Sequence, residues 1–269
     1  MSSEAPPFLT SLEEGVFTLT FNRPDFGNAM PPSATPSLVD ALTQVRDDPS
    51  VRCFLLNAKG KNFSAGGDVK GFGRSLEMSP SARSQDFLDR LALVRTMVET
   101  YLAIPVPVIV ACRGGVAGGG LLWPLGADFL YADDTLSIMF AHQRFGLSPD
   151  CGVTYLLPRV VGERKARELV LGGAFIGAEE ASALGIVSRI VEAEALEDEA
   201  LKLARRLARG PQQAMRTAKH LLGRSMTTTL GELLEMERKG VADCVADPDF
   251  EEGVRAFLDK RKPSYPSAQ

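Results

Sequence analysis

Hydrophobic and polar residues alternate near the start of the chain in a pattern that is typical of β-strands. In "VFTLTFN" (16–22) apolar and polar positions alternate, and the preceding "FLTSLE" leads into a turn at Glu14-Gly15, so we predict a hairpin. Two continuous apolar runs follow, "VRCFLLNAKG" (51–60) and "VPVIVACRG" (106–114). Such runs indicate strands that are buried on both faces of a sheet.

Elsewhere the apolar residues recur at helical spacing or in short strand-like runs. The predicted helices before residue 195 lie near 38–45, 86–103, 120–127, 151–162, 162–173 and 177–185. Further strands are predicted at 129–133, 136–140 and 186–191, and loops at 22–33, 61–73 and 74–85. After residue 195 the predicted helices are 195–210, 211–224, 229–246 and 248–261. The pattern therefore predicts an α/β core over 1–195 and a helical region over 196–269.

Composition and charge exclude several classes of partner. The chain is 45% hydrophobic and 24% charged, with a net charge of −4 and a pI of about 5.4, so no basic surface for nucleic acid is expected. The longest apolar run, 101–112, is too short to span a bilayer and contains two prolines. We therefore expect no membrane or nucleic-acid partner.

The spacing of the cysteines and histidines matches neither a metal site nor a disulfide framework. Cys53, Cys112, Cys151 and Cys244 are widely separated and form no CxxC, which favours a reducing compartment. The two histidines form no HExxH motif. The opening "MSSEAPPFLT" has neither the basic and apolar regions of a secretory signal nor the arginines of a mitochondrial presequence, so we expect a cytoplasmic protein.

Two glycine-rich segments follow buried strands and offer exposed main-chain N–H groups. "KNFSAGGDVKGFG" (61–73) and "GGVAGGG" (114–120) contain neither a dinucleotide-binding GxGxxG nor a P-loop. Two N–H groups converging from different loops would form an oxyanion hole. Alternatively, the glycines serve only tight turns or helix–strand packing.

One acidic residue, Asp150, stands in the loop-like octet "GLSPDCGV" (146–153). An Asp before a helical stretch commonly accepts hydrogen bonds from the first helical turn. A carboxylate at the same place in a pocket would instead be suited to proton transfer. The residues alone leave both roles open.

Five motifs occur in order along nearly the whole chain. They are "NRPDFGNAM" (22–30), "NFSAGGDVKGF" (62–72), "CRGGVAGGGLLWPLGADFLYA" (112–132), "FGLSPDCGVTYLLPRVVGERKARELVLGG" (145–173) and "FLDKRKPSY" (257–265). Together they resemble the crotonase, or enoyl-CoA hydratase/isomerase, superfamily. The resemblance implies an α/β spiral of ββα turns, with the C-terminal helices of 196–269 forming a homotrimer or a dimer of trimers.

The same resemblance implies a set of site residues. The amides of Gly67 and Gly119 would hold the thioester oxygen of an acyl-CoA, and the loop 65–70 would contact CoA through its backbone. We expect the Lys70 side chain to be solvated near CoA and Asp68 to order its loop through bonds to its own backbone. The residues implied to bind substrate or CoA are Ala29, Ala65, Gly67, Asp68, Val69, Lys70, Gly119 and His142. No separate cofactor or metal is implied, because CoA arrives with the substrate.

The resemblance also indicates which reaction to expect. Family hydratases use two glutamates, and the corresponding positions here are Leu122 and His142, so ordinary hydration is not favoured. Several family isomerases carry an acid at the position of Asp150, where one carboxylate removes and returns the same proton. We predict an enoyl-CoA isomerase with Asp150 as proton carrier and with Gly67 and Gly119 as the oxyanion hole.

Other interpretations stay open at this point. Asp150 could be a nucleophile, as in dehalogenase- or hydrolase-like members, or the protein could be hydratase-like, or could bind acyl-CoA without catalysis. His142 either lines the pocket or acts as a second acid/base. We expect Cys151 to be a small buried residue and not a nucleophile. The aromatic residues that line the acyl cavity or belong to the core are Phe72, Trp123, Phe140 and Phe145.

Overall fold

A computed structural model of the chain describes residues 5–269, and for Val69 and Lys70 it describes the backbone alone. Its strands are β1 (Phe8–Glu13), β2 (Val16–Phe21), β3 (Cys53–Ala58), β4 (Val108–Cys112), β5 (Gly115–Ala117), β6 (Phe129–Ala132), β7 (Ser137–Met139), β8 (Phe175–Gly177) and β9 (Arg189–Ile190). Its helices are α1 (Thr35–Asp47), α2 (Val69–Ser75), α3 (Pro80–Leu102), α4 (Leu122–Gly126), α5 (Val153–Val161), α6 (Glu163–Gly172), α7 (Ala178–Ala183), α8 (Leu196–Ala208), α9 (Gln212–Arg224), α10 (Leu230–Val245) and α11 (Pro248–Leu258).

The strands form two sheets between which the chain repeatedly passes. The larger sheet has the order β1-β2-β3-β4-β6-β9 and is parallel except for the β1–β2 hairpin. The smaller sheet has the order β5-β7-β8, and an isolated bridge joins Ser64 to Val116 at its edge. Thus β3, β4 and β6 are each followed by a short piece beside or in the smaller sheet and then by a helix. This repeat agrees with the ββα turns that the resemblance implies.

The middle of the larger sheet, at β3 and β4, is buried on both faces, and successive side chains of these strands point to opposite sides, into two different cores. The strand residues that face α1, α3 and α4 in the main core are Phe17, Leu19, Phe21, Phe54, Leu56, Val108 and Val110. Those that face α8 on the other side are Val16, Cys53, Leu55, Ile109 and Ala111. The continuous apolar runs at β3 and β4 therefore arise because both faces of these strands are buried, as expected from the sequence.

The segment between β3 and β4 is more helical than the sequence pattern predicted. The expected loop at 61–73 contains the start of α2, and the expected polar loop at 74–85 contains the start of α3. Ser79 accepts a hydrogen bond from the Ala82 N–H (3.3 Å), and Pro80 occupies the first helical position. The Ser-Pro pair is a helix-start signal that outweighs the polar composition around it.

Two short strands depend on their neighbours and not on local pattern. No strand was predicted at β8, whose three residues pair antiparallel with β7. The strand predicted at 186–191 is reduced to the two residues of β9, which pair with β6. The three residues of β8 are too few for a period of two to be recognised in sequence, and β9 keeps only the part of the predicted strand that pairs with β6.

The C-terminal region begins with a helix that packs directly on the larger sheet. The residues of α8 that do so are Leu196, Ala200, Leu203, Ala204 and Ala208. The division at residue 195 and the role of 196–269 in assembly stay predictions. Over residues 5–269, none of the helices has both the length and the apolar character needed to cross a bilayer.

Tyr101 joins α3 to α4 within the main core. Its ring meets Trp123 edge-on with centroids 4.9 Å apart, and its hydroxyl donates to the Trp123 carbonyl at 2.7 Å. The Tyr101 side chain is almost completely buried. The Tyr101 hydroxyl therefore supplies a hydrogen bond to the Trp123 carbonyl at a buried place in the core.

We predict that Tyr101→Phe lowers the free energy of unfolding by about 1–3 kcal/mol, because the buried Trp123 carbonyl loses its donor. Tyr155→Phe, in a half-exposed ring, is the matched control and should change it by less than about 0.5 kcal/mol. Urea unfolding followed by fluorescence of Trp123, the only tryptophan, measures both variants at equal protein concentration. Equal stability of the two variants would contradict the prediction.

Candidate active site

The two glycine-rich loops meet at Ser64. The Ser64 N–H donates to the Gly115 carbonyl at 3.1 Å, and the Ala117 N–H donates to the Ser64 carbonyl at 2.9 Å. Gly120 lies against the same residue, since an added Cβ at Gly120 would be 2.8 Å from the Ser64 carbonyl oxygen. The loop after β3 and the loop after β4 are thereby fixed to each other by main-chain contacts.

Gly66 brings the first loop directly against the second. It has a φ of +83°, and an added Cβ would lie 2.5 Å from the Ala117 carbonyl oxygen and 3.0 Å from the Gly119 nitrogen. Gly67 follows with an exposed position and forms an isolated parallel bridge with Met30. The structure therefore brings the two predicted oxyanion donors, Gly67 and Gly119, onto adjoining loops.

A third loop, containing Asn28, is hydrogen-bonded to the start of the first glycine-rich loop. Asn28 is buried with a φ of +55°, and its side-chain amide donates to the Lys59 carbonyl (2.9 Å) and the Asn62 carbonyl (2.7 Å). Its Oδ1 accepts from the Arg23 N–H at 2.8 Å. The side-chain nitrogen thus ties the loop at 23–30 to the segment leading into Gly67, while the side-chain oxygen closes the loop on itself.

The predicted CoA-binding residues lie along these joined loops. Ala65 donates its N–H to the Gly27 carbonyl (2.8 Å), beside Ala29, and the Ala65 position is exposed. Asp68 stands at the N-cap of α2 without a side-chain cap bond, and its Oδ2 is 3.6 Å from Arg74 Nη2. The expected bond from the Asp68 side chain to its own backbone is therefore not found at this helix start. The predicted side-chain roles of Val69 and Lys70 lie outside the described residues.

Asp150 does not cap the helix that follows it. The N-cap of α5 is Gly152, and no side chain bonds to this helix start, so the capping alternative is wrong. Instead, the Asp150 Oδ1 would be 3.8 Å from a Cβ added to Gly119. Its side chain is 41% exposed, so a ligand can reach it. Asp150 and Gly119, one of the two predicted oxyanion donors, are thus neighbours in the candidate site.

Cys151 packs its thiol beside Gly119 and has a left-handed backbone with a φ of +50°. A Cβ added to Gly119 would be 2.8 Å from the Cys151 Sγ. Burial, the charge of Asp150 and a hydrogen bond to that carboxylate raise the pKa of the Cys151 thiol well above its usual value. The thiol therefore stays protonated near neutral pH and is unsuited to nucleophilic attack, as expected from the sequence.

His142 is buried next to Asp150, at the start of a 3₁₀ turn (His142–Phe145). Its Nε2 is 3.4 Å from Asp150 Oδ1, but the geometry is not aligned for a hydrogen bond, and within the part of the chain that the structure describes this buried atom has no other hydrogen-bond partner. Leu122, at the other position where family hydratases carry a glutamate, is fully buried in the main core. The site therefore contains one accessible carboxylate and one buried imidazole.

The four aromatic residues considered from sequence divide between site, core and surface. Phe72 lies beside the first glycine loop, since an added Cβ at Gly67 would be 3.4 Å from its Cζ. Trp123 and Phe140 are buried in the main core, whereas Phe145 is exposed. Phe72 is thus the aromatic residue of this set that the structure brings to the predicted oxyanion hole.

Asn28 and Ser64 are important to the site but were not singled out from sequence. A signal was present for Asn28, because Asn between Gly27 and Ala29 is a residue type that tolerates the left-handed conformation. Ser64 carries no comparable local signal, since its role depends on a contact with a loop more than fifty residues away. Among residues 5–269, no cluster of three or more His, Cys, Asp or Glu residues has the geometry to hold a metal ion.

Similarity to known proteins agrees with this geometry. The family model described as Enoyl-CoA hydratase/isomerase matches residues 11–268. The chain belongs to the enoyl-CoA hydratase/isomerase family. The expected membership of the crotonase superfamily and its α/β fold are therefore confirmed, and the protein is an enzyme of this family.

Individual relatives in the family match the chain almost end to end. The 1,2-epoxyphenylacetyl-CoA isomerase of Escherichia coli K12 is 35% identical, over 96% of this chain and 97% of that protein. The trans-2-decenoyl-[acyl-carrier-protein] isomerase of Streptococcus mutans is 32% identical, over 96% and 97%. A crystal structure assigned to an enoyl-CoA hydratase/isomerase of Mycobacterium abscessus superposes with a TM-score of 0.91 at 33% identity, over 96% and 98%. Use of an acyl-CoA substrate is consistent with the enoyl-CoA hydratase/isomerase family.

We predict that Gly66→Ala lowers the free energy of unfolding by about 1–3 kcal/mol, because the left-handed backbone and the Ala117 carbonyl leave no place for a Cβ. Gly73→Ala is the matched control: nothing lies within 4 Å of its added Cβ, and its position in α2 should make alanine neutral or stabilising. Thermal and urea unfolding of both variants measure the difference. A Gly66→Ala variant as stable as Gly73→Ala would refute this account of the loop junction.

Proposed function

We propose that the protein is an isomerase that shifts a double bond in an acyl-CoA thioester, with Asp150 as the proton carrier. The observation that carries the proposal is that the Asp150 carboxylate lies beside Gly119, while Leu122 and His142 occupy the positions where family hydratases have glutamates. The name of one relative, a trans-2-decenoyl-[acyl-carrier-protein] isomerase at 32% identity, supports the same choice, whereas a crotonyl-CoA hydratase is equally similar at 32% identity.

For a 3-enoyl thioester the proposed reaction has two balanced proton transfers. Asp150 takes a proton from carbon 2, the C2–H bond breaks, and its electron pair spreads onto the thioester oxygen. The amides of Gly67 and Gly119 donate hydrogen bonds to that oxygen, each worth roughly a hundred- to a thousandfold in rate. Carbon 4 then takes the proton from Asp150, the double bond forms between carbons 2 and 3, and the carbonyl is restored.

The rigid junction of the two loops suits this mechanism. Donors that are already in place when charge develops need no reorganisation during the reaction. In this proposal the contacts at Ser64 and Gly66 keep the Gly67 and Gly119 amides in place, independently of any ligand. One carboxylate is sufficient as acid and base, because the proton that it removes is the proton that it returns.

Binding of CoA is proposed along the exposed backbone of the first loop. Glycine and alanine positions let a ligand approach main-chain N–H and C=O groups closely. In this proposal the loop 65–70, together with Ala29, contacts CoA, and Phe72 borders the acyl chain. No separate cofactor is required, because the thioester itself supplies the group that stabilises the enolate.

We predict that Asp150→Asn lowers kcat for isomerisation of a 3-enoyl-CoA by about 10²–10⁴-fold, because an amide cannot carry the proton. Asp40→Asn, on the exposed face of α1, is the matched control and should retain full activity. The appearance of conjugated thioester in ultraviolet absorbance measures the reaction, and crotonyl-CoA is offered in a separate assay.

The outcomes of this assay separate the candidate functions. Hydration of crotonyl-CoA that survives Asp150→Asn would replace the proposal with a hydratase-like activity. A covalent ester on Asp150, seen in intact mass during turnover, would indicate the nucleophilic, dehalogenase- or hydrolase-like mechanism. Acyl-CoA binding without turnover of either substrate would indicate a non-catalytic homologue.

We also propose that the protein works in the cytoplasm as a homotrimer or a dimer of trimers. The support for assembly is the series of exposed apolar residues in and beside the last helices, namely Leu222, Met226, Leu230, Val241, Phe257 and Leu258. The support for a reducing compartment is that all four cysteines are unpaired. Sedimentation velocity should give three or six times the mass of 29.0 kDa, and a monomer would contradict the proposed assembly.

A further inference from the structure

His142 has a buried nitrogen that the proposed mechanism leaves unexplained. Its side chain is 9% exposed, and Nε2 has no aligned hydrogen-bond partner among the described residues. Buried polar atoms are nearly always hydrogen-bonded, because removal from water without a partner is costly. The nearest charged group is the Asp150 carboxylate, whose Oδ1 lies 3.4 Å away.

The backbone between the two residues is shaped to bring them together. The Leu147 N–H donates to the His142 carbonyl at 3.1 Å, which closes the turn after His142. Gly146, in the middle of the connecting segment, and Cys151 and Gly152, which directly follow Asp150, have left-handed backbones with φ values of +65°, +50° and +74°. The value at Cys151 is unusual for a residue with a side chain, and such strain concentrates at functional sites.

We infer that His142 is a positioning residue for Asp150. Its Nε2–H donates to Asp150 Oδ1 and holds the carboxylate over Gly119, which leaves Oδ2 to take the substrate proton. The inference rests on the proposed isomerase function and adds to it the residue that orients the base. The long, poorly aligned contact of the free protein tightens when an acyl chain covers the site, as is common for catalytic hydrogen bonds.

The difference in exposure between the two side chains decides their roles. Asp150 is 41% exposed and can meet a substrate, whereas His142 is almost fully buried behind it. An exposed carboxylate is free to change rotamer, and the Cys151 thiol that hydrogen-bonds to it is a weak donor. A buried imidazole N–H is the stronger constraint on where the carboxylate points.

This role has a measurable consequence for the fate of the proton. A carboxyl group that is pinned over Gly119 keeps the proton from carbon 2 until carbon 4 takes it. A carboxyl group released to solvent exchanges that proton with water before redelivery. Transfer of deuterium from carbon 2 to carbon 4 therefore reports the positioning of Asp150, which a purely structural role of His142 would not change.

The test compares His142→Phe, which fills the buried space without a donor, with His142→Gln, which keeps an N–H near the Nε2 position. His220→Gln, at the other and exposed histidine, is the matched control. With a 3-enoyl-CoA deuterated at carbon 2, we expect His142→Phe to lower kcat by about 10- to 100-fold. KM should change less than about threefold, and deuterium retention at carbon 4 should fall. His142→Gln should recover most of kcat and of the retention.

Three results would overturn the inference. The first is a His142→Phe variant with unchanged kcat and retention, and the second is one that acts through KM alone. The third is higher retention in His142→Phe, which would mean that the imidazole relays the proton to water.

A measurement without turnover keeps this inference distinct from the proposed function. Protein labelled with ¹⁵N-histidine has two imidazole spin systems, which the His220→Gln variant assigns. In the wild type the His142 ring should be the Nε2–H tautomer, and Asp150→Asn should shift its resonances while those of His220 stay unchanged. Failure of isomerisation with this shift present would reject the reaction but retain the pair, whereas absence of the shift would reject the pair.

Discussion

The contact of two glycine loops at Ser64 is the constraint on which the site depends. Strands β3 and β4 are parallel neighbours, so the segments that follow them leave the same end of the larger sheet. The small sheet and the Ser64 hydrogen bonds then fix these segments to each other, and Gly66 and Gly120 occupy places where a Cβ would meet main-chain atoms. The separation of the predicted oxyanion donors is thereby set by backbone packing and not by flexible side chains.

The acid/base part of the site is built differently, on a single loop between β7 and α5. The loop takes its shape from left-handed residues in its middle, at Gly146, and directly before α5, at Cys151 and Gly152, and it carries Asp150 Oδ1 to within 3.4 Å of His142 Nε2. A rigid backbone platform and a side-chain base on a separate loop can vary independently.

Much of the core could be predicted because its signals are local. The apolar runs of β3 and β4 follow from strands that are buried on both faces, and the alternation in β2 follows from a strand whose second face, at Thr18 and Thr20, is only half-buried. The long helices before and after residue 195 were likewise recognisable, because their apolar residues recur at helical spacing. The beginning of α3 was missed because polar residues surround the Ser79-Pro80 start signal, and β8 was missed because three residues carry no usable period.

The sequence by itself determined the α/β class and the order of the motifs, because these depend on residue type and spacing along the chain. The choice of Gly67, Gly119 and Asp150 as candidates came from the resemblance of those motifs to the enoyl-CoA hydratase/isomerase family. Only the tertiary structure decided that Asp150 stands beside Gly119 and does not cap α5, and that the His142 side chain is buried next to it with a nitrogen that has no hydrogen-bond partner among residues 5–269. The contact of Asp150 with Gly119 joins residues that are distant in sequence, and its contact with His142 depends on the path of a loop with left-handed residues. Their distances depend on packing, which no local pattern contains.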